Sequence, residues 1–397
     1  MRRKELFVAL SVLVLVVSAF GVQQARTTPM ARTVAVGQLP TSIAVDNHTG
    51  RAFVVNAADT TVSVLDLGNG AVLRVVKVGL GATSVAVDEA TQRVFVLNSG
   101  DRSISVLDSR SGDLLHTVAA GGSPEHAIVA PLLNRVYVIS AQDALLDVLD
   151  GRSGAVLHSL QLEDAPTAIA VDERTKHLYL LDRQGLHILN AENGAPLSRQ
   201  AVGFYPLALA VDQQRGRVFV INGGDGSVSI LDSRSGALLR TTVVGIHPVA
   251  AAIDESTGHV FIVDGAGNVG AVLPGSVHML DAVTGRLLAT TRLTGNPDGL
   301  VVDERSSHVF VDVGDTIAML DAQTGAVIRA FAVAGVRIAY DAMAVDTSTG
   351  HVLVINTFNP NPIAAEPPLI QWARHWLPWL PRPIPSNNGS VTILNVG

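Results

Sequence analysis

Short hydrophobic triplets that mostly end in aspartate recur along the chain at a nearly constant spacing. The third residues of the eight triplets lie 40 to 49 residues apart, at Asp46, Asp88, Ala130, Asp172, Asp212, Asp254, Asp303 and Asp346. In most repeats a second triplet of the same kind follows twenty residues later. A repeat of about 40 to 45 residues, built from short β-branched runs and Gly turns, is typical of a β-propeller blade.

The second repeat shows the unit with the least disturbance. Its β-type runs are Ser84–Asp88, Arg93–Asn98, Ser103–Asp108 and Leu114–Val118. Turn residues separate the four runs, as a four-stranded antiparallel meander requires. We name the strands of each blade a, b, c and d in chain order. The pattern predicts an all-β fold: a single β-propeller of eight four-stranded blades, or of seven blades if one repeat is degenerate.

The two ends of the chain are expected to share the last blade. The last copy of strand c is Val391–Asn395, and no strand d follows it. Residues 33–36 precede the first strand a and match the ends of the d strands, such as Val76-Lys77-Val78. Strand 33–36 is therefore predicted to complete the last blade and close the ring, which removes open sheet edges.

A residue type that occurs once per repeat is explained by the blade. The triplet aspartates are interpreted as turn residues, because Asp accepts hydrogen bonds from its own backbone in turns. Asn56, Asn98, Asn222 and Asn356 end strand b in equivalent places, and we interpret them as turn residues too. None of these residues is a candidate for a functional site.

Composition and charge narrow the classes of function. Hydrophobic residues make up 48% of the chain and aromatic residues only 4%, which predicts an aliphatic core. The formal net charge is −7 and the arginines form no run, so nucleic acid is not an expected partner. The chain has no Cys, which excludes disulfides, thiolate metal sites and a Cys nucleophile. We expect a monomer.

Residues 1–30 differ from the rest of the chain. Arg2, Arg3 and Lys4 precede an apolar stretch from Leu6 to Val22. A charged segment followed by an apolar one is typical of a signal peptide, and the length also suits an uncleaved membrane anchor. Both readings predict an extracytoplasmic protein, either secreted, periplasmic or at the cell surface. Residues 31–397 are expected to form the propeller, with a Pro- and Trp-rich insertion at 359–389.

Several b strands resemble a known repeat. Phe53-Val54-Val55-Asn56 and its copies in the second and fifth repeats follow Ile-Ala-Val-Asp-type triplets and precede Val-Ser-Val-Leu-Asp-x-x-x-Gly segments. This arrangement resembles the YVTN-type β-propeller repeat of surface-layer and exported bacterial and archaeal proteins, over residues 33–397. The resemblance implies the propeller fold and carries no catalytic signature.

The d-to-a and b-to-c connections share one face of a propeller, where ligands usually bind. Residues that depart from the repeat there are our candidate catalytic residues, Glu125, His126, His247, Asp298 and Asp341, and our candidate binding residues, Tyr205, Arg337 and Tyr340. Carboxylate and imidazole groups transfer protons and bind divalent cations, although the sequence predicts no defined metal site. In a ring, only the candidates of the seventh and eighth repeats lie on neighbouring blades. The alternative is that all of these residues are solvated polar side chains at the rim of the channel.

The last blade carries the second departure from the repeat. Its three Trp residues, Trp372, Trp376 and Trp379, are further candidate binding residues and lie in the insertion. Trp is favoured at protein contacts and at membrane surfaces. The insertion can cover its own blade, close the central channel as a lid, or contact a membrane or partner.

Regular blades, an export segment and the lack of a catalytic motif favour a binding or scaffold module. The ligand or partner, a protein, an envelope component or a small molecule, is expected on the face with the d-to-a and b-to-c loops. The alternative is a lactonase-like propeller hydrolase or lyase with acid, base or metal residues at the channel mouth. No cofactor is expected, since the Trp pattern that docks quinone cofactors once per blade is absent.

Overall fold

The computed structural model describes residues 31–265, 274–333, 343–356 and 388–396. Within these residues the chain forms 32 β-strands and one short 3-10 helix, Pro131–Leu133. The strands form eight four-stranded antiparallel sheets, so the prediction of eight blades is confirmed. Among the described residues, no helix is long and apolar enough to cross a membrane.

The first and second strands of each blade, a and b, occupy equivalent places in all eight blades. The a strands are β2 (Pro40–Asp46), β6 (Ala82–Asp88), β10 (His126–Ala130), β14 (Ala168–Asp172), β18 (Pro206–Asp212), β22 (Pro248–Asp254), β26 (Gly299–Asp303) and β30 (Met343–Asp346). The b strands are β3 (Arg51–Asn56), β7 (Arg93–Asn98), β11 (Arg135–Ser140), β15 (His177–Asp182), β19 (Arg217–Asn222), β23 (His259–Asp264), β27 (His308–Asp312) and β31 (His351–Asn356).

The outer half of each blade is built in the same way. The c strands are β4 (Thr61–Asp66), β8 (Ser103–Asp108), β12 (Leu145–Asp150), β16 (Gly185–Asn190), β20 (Ser227–Asp232), β24 (Ser276–Asp281), β28 (Thr316–Asp321) and β32 (Asn388–Asn395). The d strands are β5 (Val72–Lys77), β9 (Leu114–Ala119), β13 (Val156–Gln161), β17 (Pro196–Gln200), β21 (Leu238–Val243), β25 (Leu287–Arg292), β29 (Val327–Ala332) and β1 (Ala31–Gln38).

The ring is closed by the N-terminal strand, as predicted. β1 lies beside β32 in the sheet order β1-β32-β31-β30, with Thr33 opposite Thr392 and Val34 opposite Val391. Each a strand contacts the a strands of both neighbouring blades, including β2 with β30. The a strands therefore line the centre, and the b-to-c and d-to-a loops share one face, which we call the upper face. The a-to-b and c-to-d turns form the lower face.

Eight hydrophobic clusters hold the ring together, and each joins two neighbouring blades. The centre of strand b supplies one large side chain to each cluster: Phe53, Phe95, Tyr137, Tyr179, Phe219, Phe261, Phe310 and Leu353, all 0% exposed. Phe53, for example, packs against Val94 and Val96 of the second blade. Burial of both faces of each sheet explains the aliphatic composition.

Two blades have Tyr in this position, and the extra hydroxyl finds a partner in the next blade. Tyr137 Oη donates to the backbone carbonyl of Ala191, and Tyr179 Oη donates to that of Ser233, each at a distance of 2.5 Å. Burial raises the pKa of both phenols. The Ser233 carbonyl also contacts His177 Nδ1 at 2.8 Å, so it has a second polar partner.

The asparagines that end strand b are not turn residues, so this interpretation was wrong. Asn56 is 0% exposed, and its Nδ2 donates to Ser63 Oγ at 2.9 Å and to Thr61 Oγ1 at 3.1 Å, both on strand c. Asn98, Asn222 and Asn356 form the same pair of bonds. The asparagine is buried beside the incoming d-to-a segment, where an amide can satisfy two hydroxyl groups at once.

The interpretation of the aspartates is borne out in the turns. Asp46 Oδ1 accepts the backbone N–H groups of His48 and Thr49 on the lower face. In the c-to-d turn of the seventh blade, the hydroxyl and the N–H of Thr324 donate to Asp321 Oδ1 at 2.8 and 2.7 Å. These two bonds hold the pKa of Asp321 below its usual value of 3.8.

Polar side chains also link the blades along the lower face. In five of the eight blades the residue after the triplet donates its backbone N–H to the side-chain oxygen of the equivalent residue in the next blade. These bonds are Asn47 to Glu89 (2.8 Å), Glu173 to Gln213 (3.1 Å), Gln213 to Glu255 (2.9 Å), Glu255 to Glu304 (3.0 Å) and Thr347 to Asn47 (2.8 Å). In the eighth blade the position holds Thr347, which has a shorter side chain, and no bond from the Glu304 N–H to it occurs within the described residues.

Candidate functional site

The candidate residues from the sequence lie on several blades of the upper face. Glu125 and His126 belong to the third blade, Tyr205 to the fifth, His247 to the sixth and Asp298 to the seventh. The other candidates, Arg337, Tyr340, Asp341, Trp372, Trp376 and Trp379, lie outside the described residues, as does the predicted export segment. Of the predicted insertion, only its last two residues are described, and they begin β32.

Glu125 is engaged by its own blade. Its N–H donates to the carbonyl of Ile139 at 2.9 Å, and its Oε1 accepts the N–H of Gln142 at 3.3 Å. His126 begins β10 and is exposed to solvent. The glutamate therefore anchors the b-to-c loop of the third blade.

Asp298 is exposed and sits before β26 in the seventh blade. Its N–H donates to the carbonyl of Asp312 at 3.1 Å, and Asn296 Nδ2 lies 3.4 Å from its Oδ1. In a ring of eight blades the seventh lies across the channel from the third. Asp298 and Glu125 are thus held on opposite sides.

His247 introduces a buried network that sequence reasoning missed. Its N–H donates to Asp264 Oδ1 at 2.7 Å, and the N–H of Ile246 donates to the same oxygen at 3.0 Å. The other oxygen, Oδ2, lies 3.8 Å from Nε2 of His278. His278 is only 6% exposed and also contacts the hydroxyls of Ser276 and Thr290 at 3.0 Å each.

This network replaces the asparagine arrangement of other blades. Asp264 ends strand b where Asn56 does in the first blade, and His278 occupies the strand c place of Ser63. The fourth blade has the same exchange, with Asp182 Oδ2 lying 2.6 Å from His187 Nε2. The paired change from Asn and Ser to Asp and His within one chain is the signal that could have identified these residues from the sequence.

The candidates within the described residues form no common acid, base or metal centre. The described residues contain no group of three or more His, Cys, Asp or Glu that could hold a metal ion. The buried Asp264 and His278 serve a loop anchor inside one blade, and Glu125 and Asp298 face each other from opposite sides of the ring. The arrangement supports loop positions and not a shared reaction centre.

An exposed apolar patch lies on the upper face at the fifth and sixth blades. Phe204 is 72% exposed, Tyr205 50% and Ile246 68%. The loop Gly223-Gly224-Asp225-Gly226 lies between them, and a Cβ at Gly224 would come within 2.5 Å of Phe204 Cδ1. At Gly226 a Cβ would be 3.6 Å from Ile246 Cα. We call Phe204, Tyr205, residues 223–226 and Ile246 the glycine-floored patch.

Hydrogen bonds fix the backbone of the glycine-floored patch. Asp225 Oδ2 accepts the N–H of Phe204 at 2.8 Å, and its Oδ1 accepts the hydroxyl of Ser227 at 2.6 Å. The N–H groups of Gly223 and Gly224 donate back to the carbonyls of Tyr205 and Phe204, both at 3.0 Å. The aromatic side chains are therefore displayed from a rigid double loop.

The backbone of Tyr205 has an unfavourable conformation. Its φ is 53°, in the left-handed region, and Leu39 has a φ of 51° at the equivalent place in the first blade. The second blade has Gly81 there, with a φ of 63°. An L-residue in this region costs about 1 to 2 kcal/mol, so Gly is the ordinary choice.

The upper face is also acidic. Its described loops carry nine carboxylates: Asp59, Asp101, Glu125, Asp143, Glu163, Asp164, Asp225, Asp298 and Asp315. They carry two arginines, Arg102 and Arg183, of which Arg102 pairs with Asp143 at 3.1 Å. Nine negative and two positive groups give these loops a formal charge of −7, as large as that of the whole chain.

A concavity lies on the lower face, at a place where the series of backbone-to-side-chain bonds between blades is interrupted. A cavity of about 530 Å³ is lined by Ser256, Glu304, Arg305, Thr347 and Ser348. Arg305 Nη1 spans the gap by donating to the carbonyls of Thr347 and Ser348 at 3.0 and 2.8 Å.

Comparisons with known proteins agree with the fold. The family model described as outer membrane protein assembly factor BamB matches residues 58–331. BamB from Moraxella catarrhalis has a TM-score of 0.61 and 14% identity over 91% of this chain and 98% of its own. The computationally designed Ika8 protein has a TM-score of 0.65 and 18% identity over 81% of this chain and 94% of its own.

A third similar structure is an enzyme. The dihydro-heme d1 dehydrogenase NirN, in complex with DHE, has a TM-score of 0.61 and 16% identity over 75% of this chain. This chain covers 66% of NirN. At these identities the solved structures support the fold alone. No curated protein matches the chain. The comparisons support a β-propeller family, but not specifically the YVTN-type repeat that the sequence resembles.

Proposed function

The chain belongs to the β-propeller family of the outer membrane protein assembly factor BamB, and we propose that it acts as an extracytoplasmic scaffold that binds another protein through its upper face. The glycine-floored patch is the observation that carries this proposal. Large apolar side chains are depleted from free surfaces in contiguous groups, and such groups mark interaction sites. Phe and Tyr are among the residues enriched in protein interfaces.

Rigidity supports a binding role for the patch. Association must offset the ordering of interface loops, which costs about 0.5 to 1.5 kcal/mol for each immobilised flexible side chain. The loop around Phe204 is already fixed by Asp225 and by the carbonyl bonds of the two glycines. A partner would therefore meet a preformed surface.

The family supports the compartment and the kind of partner. Its description names a factor for the assembly of outer membrane proteins, so the family's name points to other proteins as partners and to the cell envelope. An extracytoplasmic location also agrees with the basic and apolar segment predicted at residues 1–30. The candidate acid and base residues within the described part of the chain gain no comparable support, because they lie on separate blades.

A site-specific photo-crosslinking experiment tests the proposal. The full chain is made in cells with a photoreactive amino acid in place of Phe204 or, separately, of Ile246. The matched control position is Leu132, which is 81% exposed and lies on the lower face. We expect a discrete adduct with one protein from both upper positions and none from the lower position. Equal adducts from all three positions, or none from any, would refute the scaffold role.

A further inference from the structure

We infer that the occupant of the glycine-floored patch is a basic, amphipathic segment of another protein, one that carries Lys or Arg beside large apolar side chains. This inference rests on the proposed scaffold function and adds the chemistry of the partner. It combines two features of the upper face: the exposed apolar patch and the excess of carboxylates around it.

The apolar half of the recognition lies in the patch itself. Phe204 and Tyr205 stand on one side of the 223–226 loop and Ile246 stands on the other. The glycines between them are packed against the protein itself, since a Cβ at Gly223, Gly224 or Gly226 would meet Leu207, Phe204 or the Gly245 carbonyl. Only Gly therefore lets this loop lie directly beneath the exposed side chains. The exposed side chains can bury apolar area only if the partner supplies apolar groups in return.

The charged half lies in the loops that flank the patch. Glu163 in the fourth blade and Asp315 in the seventh are exposed, and neither carboxylate accepts a hydrogen bond within the described residues. Their charges remain fully available to a partner. With nine carboxylates and two arginines on the described loops, the field favours the approach of a cationic segment.

The negative charge of the upper face also distinguishes between the classes of macromolecule that could bind the patch. Nucleic acids and anionic lipid surfaces carry dense negative charge and would be repelled by this face. A second copy of the chain would bring a like-charged face to the contact if the two upper faces met. A basic segment of a different protein satisfies both the apolar and the charged half of the surface.

Peptide binding to the full chain tests the inference directly. Fluorescence anisotropy is measured with three labelled 12-residue peptides, one of Lys, Leu and Phe, one of Glu, Leu and Phe, and one of Lys, Ser and Gly. We expect the first to bind at least tenfold more tightly than the other two in about 50 mM salt. Its affinity should fall as the salt concentration rises, because exposed charges are screened.

Variants separate the two halves of the surface. Phe204→Ser with Ile246→Ser should weaken binding of the first peptide about tenfold or more, as expected for loss of apolar anchors. Glu163→Gln with Asp315→Asn should weaken it about threefold at low salt and leave it unchanged in about 0.5 M salt. Leu132→Ser on the lower face is the control and should bind like the parent chain.

Several outcomes would overturn the inference. Equal binding of the Glu peptide, no binding of any peptide, or no effect of the charge variants would exclude a basic partner segment. Sedimentation with phosphatidylglycerol vesicles, or a dimer lost in the Phe204→Ser variant, would assign the patch to a membrane or to a second copy. An adduct between positions 204 and 246 and a different protein would still leave the scaffold function standing, so the two failures are distinguishable.

Discussion

Weakening the ring-closing strand should open the last blade without opening the others. Val34 and Val36 of β1 are each 9% exposed and belong to the cluster that joins the eighth and first blades. Changing both to Ala removes two methyl groups from each side chain. At about 0.8 kcal/mol per buried carbon, with a cavity term in addition, the loss is about 2 kcal/mol per residue and about 4 kcal/mol for both.

An internal blade supplies the matched control. Val76 and Val78 occupy the equivalent places in the first blade and are 9% and 8% exposed. The strand that contains Val76, β5, is joined to strand c of its own sheet by residues 67–71. β1 is joined to strand c of its sheet, β32, by non-covalent contacts alone. A similar loss of apolar contact should therefore detach β1 more readily than β5.

Hydrogen exchange measured by mass spectrometry distinguishes the two variants. In the Val34→Ala, Val36→Ala variant, local opening at residues 388–396 should rise about a thousandfold, which corresponds to about 4 kcal/mol. The Val76→Ala, Val78→Ala variant should leave exchange at 388–396 unchanged while lowering overall stability. If exchange at 388–396 is unchanged in the first variant, or rises equally in both, the ring does not depend on β1 for its closure.

Three smaller effects follow from other parts of the ring. Thr347→Gln should supply the missing acceptor for the N–H of Glu304 and raise the free energy of unfolding by about 1 kcal/mol in urea titrations; no gain would contradict this expectation. Tyr137→Phe should lower thermal stability more than Tyr179→Phe, because only the second hydroxyl shares its carbonyl with a histidine; equal losses would argue against that difference. Asp321 has a lowered pKa, so its stabilising effect is complete above pH 3.8 and is lost as the pH falls through the lower folded value. Asp321→Asn should therefore make the unfolding free energy fall less steeply below about pH 4, and parallel curves would refute this.

The repeat is the reason that so much of the fold is predictable. Each blade offers an independent reading of the same pattern, so one irregular copy such as the third, with Ala130, does not hide the unit. Ring closure follows from the same comparison, since residues 33–36 match the end of a d strand and lack a blade of their own. These inferences need only the order of residues along the chain.

The role of the strand b asparagines was misread because it depends on a neighbour across the sheet. A polar residue at the end of a run looks like a turn residue in the sequence. Burial of Asn56 follows from the path of the d-to-a segment over it, where a Cβ at Gly37 would lie 2.6 Å from the amide carbon. The constant spacing of seven residues from Asn56 to Ser63, and from Asn98 to Ser105, was the available clue.

The candidate site was found only in part for a related reason. Sequence reasoning selected Tyr205 and His247 because they are unusual, and it passed over Phe204 and Ile246 because an apolar residue in a β-repeat is normally core. Their exposure depends on the path of the loop after Gly203 and Gly245. In a repeat protein, an apolar residue that follows a glycine at a loop start is as informative as a polar one.

The two faces of the ring use their charged groups differently, and this difference favours binding at the upper face. On the lower face, carboxylates accept backbone N–H groups from the preceding blade, and arginines reach the following one, as Arg174 does to Gln213 at 2.7 Å and Arg215 to Glu255 at 2.9 Å. Charges there are matched and bound to the ring itself. On the described upper loops, carboxylates bind mostly backbone and hydroxyl groups of neighbouring loops, Asp143 alone pairs with an arginine, and carboxylates exceed arginines by seven. An unmatched field beside exposed aromatic side chains is a surface that a partner can stabilise, whereas the lower face is already satisfied by the fold.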